Sequence, residues 1–280
     1  MDFPSAETDA SPPISGRLFQ GVVPSPTFKI LASVAIPGSP CCKTGFNSVH
    51  SANGPRLSKK VLLIDLDPQG NATSGLLMED PGLKGNVYQL ICGNANAGES
   101  IVQEVLPGLD LMLSGMDLAG AEIELVDSQK RESNLKKALA LIKNDYDFIF
   151  LDCPPSLGLI TLNGLCAADT VFIPIQCEYY ALEGLSQLIS TVRQVKRHYN
   201  PLLEIEGVLL TMYDGRLNLT SQVVEELKRF FPKKVYSTPI PRNVKLSEAP
   251  SYGQPVMYYD KRSKGTDAYM AVAEEFLKKN

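Results

Sequence analysis

Short apolar runs alternate with amphipathic stretches from residue 59 to the carboxyl terminus. Six runs bounded by turn or polar residues have the length and composition of β-strands, at residues 60–66, 109–113, 147–152, 170–175, 205–212 and 235–239. Between them, apolar residues recur at the spacing of one helix face. This alternation predicts an α/β fold in which right-handed crossovers produce a mostly parallel, twisted sheet covered by helices on both faces, in three layers.

Three stretches have a clear apolar helix face, and a fourth ends the chain. Their apolar positions are Leu135, Ala138, Leu139 and Ile142; Leu182, Leu185, Ile189, Val192 and Val195; Leu219, Val223, Leu227 and Phe230; and Met270, Val272, Phe276 and Leu277. These stripes indicate core packing. The last helix lacks the long basic face of a membrane-surface helix, and no run approaches the roughly 20 apolar residues that cross a bilayer. We therefore expect no membrane contact.

Residues 1–58 have a different character. They are rich in Ser, Pro, Gly and Ala and show neither helical nor strand periodicity. Asp2, Glu7 and Asp9 argue against an acid-poor transit peptide. The sequence therefore predicts an irregular segment over residues 1–58 and a folded domain over residues 59–280.

Composition adds three constraints. A chain of 280 residues with 44% apolar content is long enough for one large core. Its net charge of −4 means that binding to DNA would require a local basic patch. The cysteines lack paired metal-ligand spacing and are expected to be reduced thiols of a cytosolic protein. They are Cys41, Cys42, Cys92, Cys153, Cys166 and Cys177.

The first apolar run delivers two acidic residues, Asp65 and Asp67, into a polar loop. Residues 61–64 are apolar without alternation, as expected of a strand buried on both faces. The loop therefore lies at the carboxyl end of a strand, where open α/β sheets bind ligands. Asp-x-Asp there is compatible with Mg²⁺ ligation, a phosphoryl-accepting nucleophile or a helix cap. Pro68 and Gln69 disfavour a haloacid-dehalogenase-type phosphatase, in which a hydroxyl residue follows.

A third aspartate, Asp152, follows the apolar residues 148–151 and also emerges at the carboxyl end of a predicted strand. A buried carboxylate is costly unless it is paired or binds a metal. Asp152 is therefore a candidate Mg²⁺ ligand, the alternative being a cap for the helix after Pro154 and Pro155. The presence of the Asp65 and Asp67 loop favours the metal.

Four longer segments resemble the ParA/Soj (MinD-related) family of deviant P-loop ATPases, in the family's order and spacing. They are LIDLDPQGNAT at residues 63–73, FLDCPPS at 150–156, IQCEYYALEG at 175–184 and IPRNVKLSEAPS at 240–251. The resemblance implies a P-loop NTPase-like fold over residues 59–280 with ATP and Mg²⁺ as cofactors. It also implies a cytoplasmic, nucleoid-associated ATPase that forms an ATP-dependent homodimer and binds DNA nonspecifically. A ParB-like partner would stimulate hydrolysis during chromosome or plasmid segregation.

The same resemblance implies roles for the three aspartates. Asp67 would orient the attacking water, and Asp65 would lie close to the phosphate and Mg²⁺. Asp152 would be the Walker B aspartate that holds Mg²⁺, usually through water. Because phosphoryl transfer is catalysed largely by positioning and electrostatics, a fixed acceptor at Asp67 suits the first role.

Five further residues take roles from the resemblance. Pro241, Arg242 and Asn243 match the segment that runs beside the adenine. Arg216 and Lys245 occupy positions where relatives carry basic residues that contact DNA phosphates.

The phosphate loop departs from the family pattern Lys-Gly-Gly-x-Gly-Lys-Thr-Thr. Counting back from Asp65 by the family interval places Lys43 and Thr44 at the P-loop lysine and the Mg²⁺-ligating hydroxyl. Gly38 stands at the family's signature lysine. The three family glycines are replaced by Ser39, Pro40 and Cys42.

These replacements should weaken phosphate binding, because Pro40 removes one N–H donor and the other two add a Cβ where permissive backbone is needed. An altered reading of the first segment, a decayed ATPase and an unusual functional loop are three explanations, of which the abrupt change near residue 58 favours the first. The competing function is a ParA-like protein with a defective nucleotide site that binds DNA or partners without catalysis. A MinD-like membrane ATPase lacks the required tail here, and Cys153 and Cys166 do not fit an iron–sulfur reductase relative.

Overall fold

In a computed structural model of the chain, the described residues are 28–35, 59–77, 82, 85–178 and 181–280. They include seven strands. These are β1 (Lys29–Val34), β2 (Val61–Asp65), β3 (Ile101–Leu106), β4 (Leu109–Met112), β5 (Phe148–Cys153), β6 (Thr170–Gln176) and β7 (Glu204–Thr211). The strands form one sheet in the order β3-β4-β2-β5-β1-β6-β7.

Ten α-helices are present in the same described ranges. These are α1 (Asn71–Ser74), α2 (Val87–Cys92), α3 (Ala121–Glu124), α4 (Asn134–Leu139), α5 (Leu159–Ala167), α6 (Ala181–His198), α7 (Asn218–Phe230), α8 (Val244–Glu248), α9 (Val256–Tyr259) and α10 (Lys264–Lys279). The four predicted amphipathic helices correspond to α4, α6, α7 and α10.

The sheet is parallel except at one edge, which confirms the predicted α/β class. Only β3 runs antiparallel, paired to β4. Its ladder is interrupted between Val102 and Leu106, and Glu104 there has a positive φ of 51°. This strand is half-exposed, so its residues Ile101–Leu106 lack the continuous apolar run by which the buried strands were recognised.

The prediction that residues 1–58 hold no regular element is wrong for β1. Lys29–Val34 pairs with β5 on one side and β6 on the other, so it lies inside the sheet. Leu31 and Ala32 are fully buried. The short apolar run is stabilised by burial between two neighbouring strands, which outweighs the Ser/Pro/Gly-rich composition around it. The limit at residues 58/59 stays a prediction, since much of residues 1–58 lies outside the described residues.

The predicted strand at residues 235–239 is also corrected. This segment runs beside β7 but forms only an isolated bridge between Val208 and Val235. The Tyr236 N–H donates to the Val208 carbonyl at 2.9 Å. Pro239 has no N–H to continue the ladder, so the segment ends as irregular chain.

Alternate residues of the central strands face opposite layers. Leu31, Leu63 and Phe150 pack with α1, α8, α9 and α10. Ile30, Leu62, Ile64, Ile149 and Leu151 pack with the layer formed by α2 to α7. Helices therefore cover both faces of the sheet, and the three predicted layers are confirmed. No helix among the described residues combines the length and apolarity needed to span a bilayer.

Candidate functional site

The carboxyl ends of β2 and β5 bring two of the predicted aspartates together. Asp65 is the last residue of β2, and it lies in direct register with Asp152 of β5. On its other side Asp152 is in register with Ser33 of β1. Asp65 and Asp152 are fully buried, and Ser33 is 3% exposed. Two buried carboxylates and a hydroxyl thus lie side by side on three neighbouring strands.

The Asp65 carboxylate organises the loop that follows β2. Its Oδ2 accepts hydrogen bonds from both the backbone N–H and the hydroxyl of Thr73, each at 2.8 Å. Its Oδ1 accepts the Asp67 N–H at 3.1 Å. These bonds make Asp65 the internal support of the loop and of α1. A helix cap was one of the roles that the sequence left open for Asp-x-Asp. The hydrogen bond from the Thr73 N–H favours that role for Asp65, at the start of α1.

Thr73 links this loop to a second one. Its Oγ1 also accepts the N–H of Ser114, at 3.1 Å, beyond the end of β4. Burial raises the pKa of Asp65 above its usual value, against the hydrogen bonds from Thr73 and Asp67 that lower it. A buried carboxyl with a raised pKa is common at functional sites, and a cation bound beside Asp65 would lower that pKa by favouring the ionised form.

Asp67 lies two residues further on, at the start of the turn. Its Oδ1 accepts the N–H of Gln69 at 3.0 Å, and its carbonyl accepts the N–H of Gly70 at 2.8 Å. Gly70 has a φ of 62°, a conformation that glycine adopts without strain. Asp67 is 7% exposed. The turn therefore fixes the carboxylate in position beside the surface, as the predicted role of orienting a water requires.

The loop after β5 lies on the other side of the site. Its helix α5 begins with the Leu159 N–H donating to Glu122 Oε1 of α3 at 2.8 Å. The Leu66 N–H donates to the Asp152 carbonyl at 2.9 Å, which extends the pairing of β2 with β5 by one residue. A cavity of about 260 Å³ at this edge is lined in part by Val34 and Ser156. The cavity adjoins the carboxyl ends of β1 and β5, and the aspartates lie along the same edge of the sheet.

Lys43 and Thr44 lie outside the described residues, so their predicted phosphate and metal roles stay predictions. Within the described ranges, no group of three or more His, Cys, Asp or Glu side chains could hold a metal ion. Mg²⁺ in nucleotide sites is typically bound by one or two protein groups, with phosphates and waters completing the shell. The buried pair Asp65 and Asp152 fits that kind of site.

The predicted adenine segment follows the end of β7. The Tyr213 N–H donates to the Ile240 carbonyl at 2.9 Å, and Tyr213 forms a bridge with Pro241. Asn243 caps α8, its Oδ1 accepting the Lys245 N–H at 2.8 Å. β7 lies three strands from β5. The structure therefore places Pro241, Arg242 and Asn243 at the same edge of the sheet as the aspartates, but not beside them.

Arg216 forms an ion pair with Asp214 at the end of β7. Its Nε and Nη2 donate to the two oxygens of Asp214 at 2.8 and 2.6 Å. These hydrogen bonds and the Arg216 charge lower the pKa of Asp214 to about 2. Arg216 is the more exposed partner, at 89% of its side chain. The guanidinium of Arg216, which is predicted to contact DNA, is thus held by the carboxylate of Asp214, two residues away.

Lys245 has a similar partner. Its Nζ lies 2.8 Å from Glu248 Oε2, which also accepts the Tyr259 hydroxyl at 2.9 Å. The ammonium lies 5.4 Å from the centre of the Tyr259 ring. The bond to Glu248 raises the pKa of Lys245, and the bonds from Lys245 and Tyr259 lower that of Glu248.

Three residues that organise these sites were not singled out from the sequence. Thr73 stood inside a recognised segment, but only the fold shows that it bonds to Asp65. Asp214 and Glu248 had a visible signal, since each stands two or three positions from a predicted basic contact residue. The four described cysteines, Cys92, Cys153, Cys166 and Cys177, form no disulfide within the described ranges.

Comparison with known proteins shows the family to which the chain is related. Residues 43–205 match a family model described as an AAA domain. The chain is 55% identical to the sporulation initiation inhibitor protein Soj of Bacillus subtilis, over 78% of this chain and 87% of the relative. It is 50% identical to the chromosome-partitioning ATPase Soj of Treponema pallidum, over 78% of this chain and 85% of the relative.

The fold is also similar to that of a protein solved with a bound nucleotide analogue. The crystal structure of cobyrinic acid a,c-diamide synthase from Mycobacterium smegmatis, with bound ATP analogue and magnesium, superposes with a TM-score of 0.75 at 34% identity. The match covers 90% of this chain and 95% of that one. The fold around the aspartates is therefore shared with a protein that binds an ATP analogue and magnesium.

Proposed function

Because the chain belongs to the Soj/ParA family of chromosome-partitioning ATPases, we propose that it binds Mg²⁺ and ATP at the carboxyl edge of β1, β2 and β5 and hydrolyses the nucleotide. The observation that carries this proposal is the register of Asp65 and Asp152, which places two buried carboxylates side by side at that edge. Asp65 already accepts three hydrogen bonds, and a cation beside the pair would offset the charge of two buried carboxylates held in register. A nucleotide-bound Mg²⁺ is the cation that the family supplies.

Each residue in the proposed site has a defined task. Asp152 and Thr44 would hold Mg²⁺, and Lys43 would neutralise phosphate charge. When bound, Mg²⁺ would draw charge from the phosphates as the phosphoryl group is displaced. Asp67 accepts a hydrogen bond from the attacking water, and the bond from the Gln69 N–H keeps that acceptor fixed.

Asp65 supports this arrangement through hydrogen bonds to the loop that carries Asp67. Its three hydrogen bonds hold the Asp67 N–H and both donors of Thr73 at the start of α1. We therefore place Asp65 near the phosphates but assign it mainly to shaping the loop that carries Asp67. Pro241, Arg242 and Asn243 would form the rim beside the adenine.

The partitioning role extends the proposal beyond the nucleotide. ATP binding would drive formation of a homodimer, and the dimer would bind DNA without sequence preference through Arg216 and Lys245. A ParB-like protein would stimulate hydrolysis and release the DNA, so the protein would act in the cytoplasm on the nucleoid. Local basic groups are required for this binding because the whole chain is acidic, with a net charge of −4.

A second candidate function rests on a specific feature of the sequence. Ser39, Pro40 and Cys42 stand where relatives carry the glycines of the phosphate loop. A relative with such a loop would bind DNA or partners without turning over ATP.

Binding of a fluorescent ATP analogue in the presence of Mg²⁺ separates the two functions. The enzyme proposal predicts saturable, Mg²⁺-dependent binding that is lost in Lys43→Ala and retained in Lys130→Ala, a matched change on the exposed surface. Absence of binding by the unaltered chain would reject the enzyme and favour the defective relative.

A further inference from the structure

The two residues proposed to contact DNA share one structural feature, a carboxylate partner on the same chain. Arg216 donates to both oxygens of Asp214, at 2.8 and 2.6 Å. Lys245 lies 2.8 Å from Glu248. In both cases the partner is two or three residues away and is held near its cation by the local backbone. Both cations are thus already occupied when DNA is absent.

Carboxylate and phosphate oxygens compete for the same donors. A guanidinium presents two parallel N–H groups that match either a carboxylate or a phosphate. The bidentate contact between Arg216 and Asp214 uses one edge of the guanidinium, and the charge of Asp214 offsets the charge that Arg216 would present to a DNA phosphate. An ammonium has three donors, but Glu248 occupies one of them and carries a charge that offsets that of Lys245.

The pair at Lys245 is built into its surroundings more firmly than a chance surface contact. Glu248 Oε2 also accepts the Tyr259 hydroxyl at 2.9 Å, and the Lys245 ammonium lies over the Tyr259 ring. Tyr259 is itself stacked on Tyr252, with ring centres 5.0 Å apart. The same oxygen of Glu248 therefore accepts from both Lys245 and Tyr259, and the stacked tyrosines help to hold the carboxylate in place.

Both pairs are also attached to the predicted adenine segment. Asp214 follows Tyr213, whose N–H donates to the Ile240 carbonyl next to Pro241. Lys245 donates its backbone N–H to Asn243. A shift of that segment would therefore move both pairs.

We propose that Asp214 and Glu248 are positioning residues that occupy Arg216 and Lys245 in place of phosphate and must be displaced when DNA binds. This inference rests on the proposed DNA contact of the same two cations. It predicts that removing the carboxylate charge strengthens DNA binding, since the phosphate no longer competes with an internal partner.

The test measures binding to a short double-stranded DNA fragment of arbitrary sequence, by fluorescence anisotropy with the full chain, ATP and Mg²⁺. The variants are Glu248→Gln, Asp214→Asn, Lys245→Ala and Arg216→Ala, with Glu204→Gln as a control. Glu204 is exposed at the start of β7, so its variant makes the same change of net charge at the opposite edge of the sheet. Glu248→Gln keeps an acceptor for the Tyr259 hydroxyl, and thermal unfolding checks that it folds.

We expect Glu248→Gln and Asp214→Asn each to tighten DNA binding by roughly twofold to fivefold, the range of exposed ion pairs, and Glu204→Gln to have a smaller effect. Lys245→Ala should weaken binding and reduce the slope of log affinity against log salt by about 0.9, as for one lost phosphate contact. If Lys245→Ala weakens DNA binding but Glu248→Gln does not tighten it, the inference is overturned while the proposed DNA contact still holds. No effect of Lys245→Ala and Arg216→Ala, or no binding by any form, would overturn the proposed DNA contact as well.

Discussion

The hydroxyl of Thr73 donates a 2.8 Å hydrogen bond to the buried carboxylate of Asp65, and the same oxygen accepts the N–H of Ser114. One side chain thus joins the loops that follow β2 and β4. Since the first of these loops carries Asp67, the position of the proposed water-orienting carboxylate depends on Thr73.

Thr73→Val tests this connection, because it keeps the shape of the side chain but removes both hydrogen bonds. We expect the free energy of unfolding in urea to fall by about 1–3 kcal/mol, since buried groups lose their partners. Thr191→Val is the control, as its hydroxyl bonds only to the carbonyl of Gln187 on the exposed surface of α6. It should change stability by less than about 0.5 kcal/mol. Equal effects of the two variants would contradict the assigned role.

The pH dependence of stability tests the buried state of Asp65. Burial raises its pKa above the usual value of 3.8, so the folded chain binds this proton more tightly than the unfolded chain does. The stabilising contribution of Asp65 is therefore fully present below pH 3.8 and is lost as the pH rises through the raised folded-state pKa.

The measurement is the unfolding free energy of the unaltered chain minus that of Asp65→Asn, whose side chain does not titrate. This difference should decrease as the pH rises from below 3.8 and then level off above the folded-state pKa. A difference that increases with pH would mean that hydrogen bonding to the ionised form outweighs burial.

A core substitution in β1 tests the location of that strand. Leu31 is fully buried between β5 and β6, and its replacement by Ala should destabilise the fold by about 2–5 kcal/mol. Leu202→Ala removes the same atoms from a side chain that is 83% exposed, and should be nearly neutral. Chemical denaturation of both variants gives the comparison. A neutral Leu31→Ala would contradict the placement of residues 29–34 in the sheet.

Close packing of α5 beneath the site gives a further prediction. A Cβ at Gly164 would lie 2.7 Å from Cys153 Sγ and 3.1 Å from Leu66 Cδ1, both next to site aspartates. Gly164→Ala should cost about 1–3 kcal/mol of stability. Gly120→Ala is the control, since its Cβ would meet no atom within 4 Å. Similar unfolding midpoints for the two variants would rule out this tight contact.

Sequence predicted the parts of the fold in which local and global signals agree. β2 and β5 are continuous apolar runs ended by aspartate, so both the strands and the meeting of Asp65 with Asp152 could be foreseen. Their short length and the turn residues that follow them favour strands buried on both faces over buried helix segments. The amphipathic faces of α6 and α7 were equally clear, and each has its apolar side in the core.

The misses have distinct physical causes. β1 was overlooked because its six residues lie in a Ser/Pro/Gly-rich segment. A usable signal was present, since the apolar run from Ile30 to Val34 comes shortly before the predicted phosphate loop, as expected of a strand that leads into it. β3 is a half-exposed edge strand whose stability depends on pairing with β4. The charged partners of Arg216 and Lys245 depend on side-chain geometry, which spacing alone does not determine.

The most direct test of the proposed function is steady-state ATP hydrolysis by the unaltered chain and Asp67→Ala, with Mg²⁺ and DNA present and Asp127→Asn as an exposed carboxylate control. Removing the fixed acceptor should lower turnover by about 100-fold while ATP binding is retained, because the loss is one of positioning. Asp127→Asn should hydrolyse ATP at the rate of the unaltered chain. Turnover that is absent in the unaltered chain, or equal in Asp67→Ala, would contradict an ATPase site at this edge of the sheet.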